Sequence, residues 1–434
     1  LHKLNFSKAI KEGILSDYQV SIIGVDNYEI QQKIIQRELI SSSGDYIFDA
    51  ESLGTYIAML KAIKNYKLTK LISFHNRVKH AETFSINFPF VSNLFKDYLD
   101  DEINIDSDYV KGAMNTADKD EKLEKLKTAQ EKECFILSNS RCLSEGIDIP
   151  DLDGVAFIDP KHSPTDIVQA VGRAIRKSDN KAKGTIVIPV FLGEIDNLDE
   201  QILSTKFATV WNVILALKSQ DDELLETIDD LRIQLGTRKI TKITSKGLEK
   251  IYFDLPENIN PKFYESLYTI LVENTSDDWL ENYGKFKQFL IDKKDQNISH
   301  LEFGRWVGIQ RYNYKINTLS IDRVELLEKI KEWRWDEKEY VWNNNYNLLK
   351  EFIKKNGNPY VHPSIGKLGN WVKRQRAEFS RGNLEKYKVD KLNALPEWVW
   401  DKEEEEWNQN FDNLLTYSSE NNNTYPPSQS SIGG

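Results

Sequence analysis

Three polar side chains at helical spacing are the sharpest chemical signal in this sequence. Gln169, Arg173 and Arg176 stand at i, i+4 and i+7, so a helix presents them on one face while Ile167, Val171 and Ile175 take the other side. Two guanidiniums and an amide together suit a dense anionic acceptor, because the planar arginine fork stays charged and binds phosphate oxygens bidentately. A surface helix with ordinary salt bridges uses the same residue types, and the helix alone does not separate the two. Upstream, the apolar run Cys134–Ser138 leads into a polar loop that contains Asn139, Gly146 and Asp148. A loop leaving the carboxyl end of a buried parallel strand is where α/β sheets bind ligands. There Gly146 allows close backbone approach, Asp148 can accept from ribose hydroxyls, and Asn139 can donate to a phosphate. The stretch from Leu71 to Arg77 repeats the strand-to-polar-loop pattern and sets His75, Asn76 and Arg77 on the same rim.

These residues need a scaffold, and the sequence alternates between two periods to supply one. Helices are expected over Leu53–Tyr66, Lys79–Tyr98, Asp118–Gln130 and Thr165–Ile175. Strands are expected over Lys70–Phe74, Cys134–Ser138, Gly154–Ile158 and Gly184–Phe191. Strands separated by helices of this length give right-handed βαβ units and a parallel sheet buried on both faces, a doubly wound α/β domain. Before it, Phe6, Ala9, Ile10 and Ile14 recur at helical spacing, and Tyr18–Gly24 reads as a single strand with no neighbour nearby. That segment is expected to close a different domain. After it, the pattern is mostly helical, and the stripe of Trp211, Val213, Ile214 and Leu217 reads as packing.

Composition bounds the function class. The 434 residues are too many for one ordinary core. No run approaches the roughly 18 uncharged apolar residues of a membrane span. Two cysteines build neither a disulfide framework nor a four-ligand zinc site, which points to a reducing, cytoplasmic setting. The six histidines show no metal-ligand spacing, and Cys142 reads as a packing residue rather than a nucleophile. Net charge is −10, yet Trp279 to Asp401 holds 23 Lys and Arg against 17 Asp and Glu. An acidic body joined to a basic, tryptophan-rich tail suggests a binding module appended to a motor or scaffold.

That tail repeats itself. Gly304, Trp306, Gln310 and Arg311 recur as Gly369, Trp371, Gln375 and Arg376, and Trp333, Trp335 and Asp336 recur as Trp398, Trp400 and Asp401. A third copy opens at Trp407 with Phe411, and it stops before the next expected tryptophan, so the C-terminus reads as cut. Each copy is expected to be a small helical bundle with its tryptophans in the core. Lys373, Arg374, Arg376 and Arg381 cluster with Trp371 and Phe379, as Arg305 and Arg311 do with Trp306 and Tyr312. Basic residues interleaved with aromatics can grip a phosphate backbone and stack on unpaired bases.

The stretches around His75, around Gly146 and around Arg173 resemble motifs IV, V and VI of superfamily 2 helicases of the DEAD/DEAH type, in the same order. The repeats resemble the helicase-associated domain that follows such motors in many bacterial proteins, most recognisably at Trp371–Arg376 and Leu395–Asp401. The resemblance implies a RecA-like parallel-sheet lobe, an all-α connector and small helical bundles. It divides the chain into the end of a first RecA-like lobe (1–45), a second lobe (46–195), a connector (196–275) and repeats at 276–336, 339–401 and 403–434. It implies Arg176 as an arginine finger on the γ-phosphate of ATP, Arg173 on the same phosphate group, and Gln169 coupling nucleotide to strand. Asp148 is then near the ribose, with Gly146 beside the nucleotide. Asn139, His75, Asn76, Arg77, Arg305, Arg311, Lys373, Arg374 and Arg376 face nucleic acid, DNA rather than RNA. No Gly-x-x-x-x-Gly-Lys-Ser/Thr loop and no acidic tetrad occurs in the sequence. The chain thus reads as the part of a motor that lacks its first lobe, with Mg2+ and most phosphate ligands expected from that lobe, and with no ATP hydrolysis of its own. The competing expectation is a non-enzymatic nucleic-acid-binding or adaptor protein.

Overall fold

The computed structural model describes residues 5–37, 48–96, 99, 103–130, 132–140, 149, 151–159, 163–178, 181, 183–193, 207–292, 303–362 and 364–426. The chain divides into two units, Leu1–Gln296 and Asn297–Gly434.

The first unit is built on seven strands, β1 (Asp17–Asp26), β2 (Lys70–Phe74), β3 (Asn104–Val110), β4 (Glu133–Asn139), β5 (Gly154–Phe157), β6 (Lys183–Gly193) and β7 (Ile251–Asp254). They form one sheet in the order β3-β4-β2-β5-β6-β1-β7 with every pairing parallel. Alternation along the strands feeds two cores. Ile72, Phe135, Leu137, Ile186 and Ile188 point into one, and Leu71, Cys134, Ile136 and Val187 into the other. Helices α3 (Ala50–Tyr66) and α4 (Val78–Leu94) cover the second face. Helix α6 (Pro164–Ala174), with α7 (Ala208–Lys218) beside it, covers the first. The other α-helices among the described residues of this unit are α1 (Phe6–Lys11), α2 (Asn27–Arg37), α5 (Thr116–Thr128), α8 (Asp222–Gly236), α9 (Pro261–Thr275) and α10 (Asp278–Asp292).

Three boundaries differ from the sequence reading. Strand β1 is not the unpartnered end of another lobe. It lies between β6 and β7, in register from Asp17 opposite Lys183, and its Tyr18 hydroxyl donates to the buried Asp221 at 2.7 Å. The connector is not purely helical, because β7 extends the sheet and α7 and α9 bury Val213, Ile214, Leu267 and Leu271 in the sheet's own core. Helix α10, expected to open the first repeat, packs on α8. Gly236 and Gly284 make that approach possible, since a Cβ on either would sit 2.1–2.2 Å from a backbone carbonyl of the facing helix.

The second unit is helical among its described residues, with α11 (Gly304–Lys315), α12 (Ile321–Glu328), α13 (Glu337–Asn356), α14 (Lys367–Ser380), α15 (Lys386–Asn393) and α16 (Lys402–Asn421). Its internal symmetry extends to individual contacts. Tyr314 stacks on Trp335 and Phe379 on Trp400, both at 3.8 Å. The indole N–H of Trp335 donates to Glu328 at 3.0 Å, and that of Trp400 to Asn393 at 2.7 Å. Asp336 and Asp401 cap α13 and α16. Trp342, Leu349, Val372 and Leu392 form the buried core of one copy, with the Trp342 indole donating to Gln375 at 2.8 Å.

Candidate functional site

Helix α6 begins with Ser163 accepting from the Asp166 N–H and with Pro164 in its first turn. Ile167, Ala170, Val171 and Ala174 bury against the sheet, which leaves Gln169 exposed. Arg173 does not share that exposure. It is only 8% exposed, and its Nη1 is buried without a hydrogen-bond partner. Burial, and then the neighbouring Arg176 guanidinium, push its pKa below the usual arginine value.

The end of α6 is pinned from outside the helix. Ser16 donates its backbone N–H to the Ile175 carbonyl at 2.8 Å, and Leu15 forms an isolated antiparallel bridge with Arg176. Lys181 Nζ donates to the carbonyls of Ala174 and Leu152, each at 2.9 Å, and burial lowers its pKa against the pull of Asp153 and Asp151. These contacts satisfy carbonyls that a helix terminus otherwise leaves unpaired.

Sequence reasoning set His75, Asn76, Arg77 and Asn139 on one rim, and Arg173 lies apart from the described part of that rim. Helix α6 runs back from the carboxyl end of β5, and Ala174 ends beside Gly184 at the start of β6, whereas Asn76, Arg77 and Asn139 sit where β2 and β4 finish. Gly146 and Asp148 lie outside the described residues.

The polar rim is also more selective than its sequence suggests. Asn76 and Arg77 are exposed, but His75 and Asn139 are buried, so neither offers its side chain to a ligand at the surface. The His75 N–H donates to the Asn139 carbonyl at 2.8 Å, and its ring packs on Phe84. His75 Nε2 lies 3.0 Å from the Ser73 hydroxyl, which is 2.9 Å from that of Ser138. Asp159 faces the other ring nitrogen at 3.9 Å and accepts from the Asn76 N–H at 3.0 Å, with His80 Nδ1 at 2.9 Å. Burial pushes the His75 pKa down to about 4, outweighing Asp159. The network therefore knits the ends of β2, β4 and β5 together, a role that sequence spacing did not reveal.

In the second unit Arg305, Lys373 and Arg374 are exposed. Arg311 and Arg376 are not free for a ligand in the same way. Arg311 Nε donates to the Arg334 carbonyl at 2.7 Å and its Nη2 meets Glu337 at 3.2 Å. Arg376 Nε donates to the Val399 carbonyl at 3.2 Å, with the guanidinium 5.0 Å from the Trp398 ring and burial lowering its pKa. Both arginines bond carbonyls of their own bundle through Nε, while Arg376 Nη2 is buried without a hydrogen-bond partner. Among the described residues no group of three or more His, Cys, Asp or Glu is placed to hold a metal ion, and no helix is long and apolar enough to cross a membrane.

Residues 55–178 match the helicase conserved C-terminal domain, and residues 339–401 match the helicase associated domain. A probable helicase of African swine fever virus, Pig/Kenya isolate, is 36% identical over 95 residues, which cover 22% of this chain and 10% of the viral protein. The protein of the Tick/South Africa isolate is 35% identical over the same shares. The ATP-dependent Type ISP restriction-modification enzyme LlaBIII, solved bound to DNA, superposes with a TM-score of 0.52 at 23% identity. That match covers 89% of this chain and 25% of the LlaBIII chain. This chain therefore spans about a tenth of the viral relatives and a quarter of LlaBIII. The first unit, on its seven-stranded parallel sheet, thus contains a helicase conserved C-terminal domain over residues 55–178, and the second contains a helicase associated domain over residues 339–401.

Proposed function

We propose that the chain serves an ATP-dependent nucleic-acid helicase or translocase, giving cationic side chains to a phosphate site and surfaces to the strand. The observation that carries this reading is Arg173, a buried guanidinium with an unpartnered nitrogen beside the second guanidinium of Arg176. A buried cation without a counter-charge is costly, and an incoming polyphosphate offsets that cost. ATP supplies the transferable phosphoryl group. Arg176 acts as the arginine finger, Arg173 holds the same phosphate, and exposed Gln169 reports the nucleotide to the strand. Asp148 and Gly146 are assigned to the nucleotide from sequence alone, and no residue of this chain is assigned to Mg2+. A first lobe with a phosphate-cradling loop forms the opposite wall.

Nucleic acid is held by Asn76 and Arg77 at the sheet's carboxyl edge and by Arg305, Lys373 and Arg374 on the repeats. The LlaBIII neighbour, ATP-dependent and bound to DNA, favours DNA as the strand.

Two measurements test the proposal. The 434-residue chain alone is expected to release no phosphate from ATP above background, and robust turnover would overturn the divided site. In the protein that includes the first lobe, Arg176→Ala is expected to cut kcat by about 10³–10⁵. An unchanged kcat would remove the finger. The missing phosphate loop in this sequence favours a second reading, a nucleic-acid-binding adaptor without ATPase chemistry. The reading frame upstream of Leu1 decides between them, since a Walker lysine there selects the motor.

A further inference from the structure

The helicase-associated copies keep their inward residues and exchange their outward ones. Helices α11 and α14 occupy the same place in successive copies, 65 residues apart, and share Gly304/Gly369, Trp306/Trp371, Val307/Val372 and Gln310/Gln375 at inward positions. Val307, Val372, Gln310 and Gln375 are all buried. On the solvent side the chemistry changes. Lys373, Arg374 and Arg381 of the second copy stand where the first has Gly308, Ile309 and Ile316, and Ala377 stands where the first has Tyr312. Ile309 is 46% exposed, Tyr312 62% and Ile316 46%. With Arg305 they fall at i, i+4, i+7 and i+11, a single stripe along α11.

Contiguous apolar side chains held in water along one face form a surface on which a partner can bury apolar area. The charge around them says which kind. Helix α11 holds Arg305 and Lys315 beside the stripe and no acidic residue, its third cation, Arg311, being paired with Glu337. Nothing lies within 4 Å of the position a Cβ would take on Gly308, so the backbone beside the stripe is open to a ligand. A free tyrosine ring, an apolar neighbour, an open backbone patch and flanking cations are the parts of a stacking platform for unpaired bases.

We infer that the outward face of α11, with Tyr312 and Ile309 as its contact residues and Arg305 at its edge, binds unpaired nucleobases of a single strand. The corresponding face of α14 grips phosphates through Lys373 and Arg374. The two copies thus divide base contact from backbone contact. This inference rests on the nucleic-acid reading above and adds to it a ligand class and a subsite.

The test is fluorescence anisotropy of the whole chain with a labelled single strand, the duplex of the same length, and a single strand carrying abasic sites, each over a range of salt. Tyr312→Ala is expected to weaken single-strand binding about 5- to 150-fold, the range for loss of one stacked base. It should leave the slope of log K against log salt unchanged and have no effect on the abasic strand. Tyr312→Phe, which keeps the ring, should bind as the parent does. Equal affinity of Tyr312→Ala and parent for the intact single strand overturns the inference, and so does an equal loss on the abasic strand. If the parent binds no nucleic acid at all, the proposed function fails and this subsite with it. If the parent binds and only Lys373→Gln or Arg374→Gln weakens it, the base subsite fails alone.

Discussion

Withdrawing the His75 imidazole from water fixes its charge state and gives the first unit a defined acid sensitivity. The folded chain holds this ring neutral down to about pH 4, while an unfolded chain protonates it near the ordinary value of 6.5. Between those two values the unfolded state binds the extra proton, so stability falls as pH falls and the loss is complete below about 4. The full effect is on the order of 3 kcal/mol. We expect His75→Gln to be less stable than the parent at pH 7 but to lose less on going to pH 4.5, as read by urea unfolding at both pH values. Parallel losses in the two proteins would show that the ring is not held neutral. Arg173 is the opposite case, a guanidinium buried with its Nη1 unpartnered. The spacing of Arg173 and Arg176 made that pair legible from sequence. The burial of His75 and Asn139 was not, because a polar residue at the end of a strand reads as a loop whether it faces solvent or turns inward.

Among the elements, the apolar runs gave away β2, β4, β5 and β6, each buried on both faces. Strand β3, Asn104–Val110, escaped notice because it lies at the sheet's edge and carries Asp106, Ser107 and Asp108. Strand β7 is four residues inside a helical stretch. The pairing of helices α8 and α10 was equally silent, since two glycines far apart in sequence do not announce that they meet. Gly284→Ala places a methyl group against the Ile233 carbonyl, and we expect a loss of about 1–3 kcal/mol in unfolding free energy. Wild-type stability in that variant would mean the helices part without cost. In the repeats, Arg376→Met removes a cation over Trp398 and a bond to the Val399 carbonyl, for an expected loss of about 1–2 kcal/mol. Its effect on the salt dependence of nucleic-acid binding is expected to be small, because the guanidinium is half-buried against Trp398 and bonds the Val399 carbonyl through Nε.

At the scale of the whole molecule, the proposed affinity for nucleic acid must overcome a net charge of −10. Local cation placement therefore decides binding, and salt is the probe of it. Replacing Lys373 and Arg374 together with Gln should lower the slope of log K against log salt by about 1.8 on duplex DNA, at about 0.9 per phosphate contact. A slope equal to the parent's would place the phosphates elsewhere. The doubly wound class of the first unit was readable from the alternation of periods, yet its outline was not. Where β1 docks is a matter of which distant strand it meets, and no local pattern encodes that.

That placement of β1 has a consequence for how the chain is made. Its neighbours are β6, whose first paired residue is Lys183, and β7, which begins at Ile251. A nascent polypeptide emerging at about 5–20 residues per second holds this strand without either neighbour for roughly 8–33 s. Over that interval both of its edges are open to mispairing, so the ribosome-bound intermediate is the stage at which chaperone capture of this protein matters most.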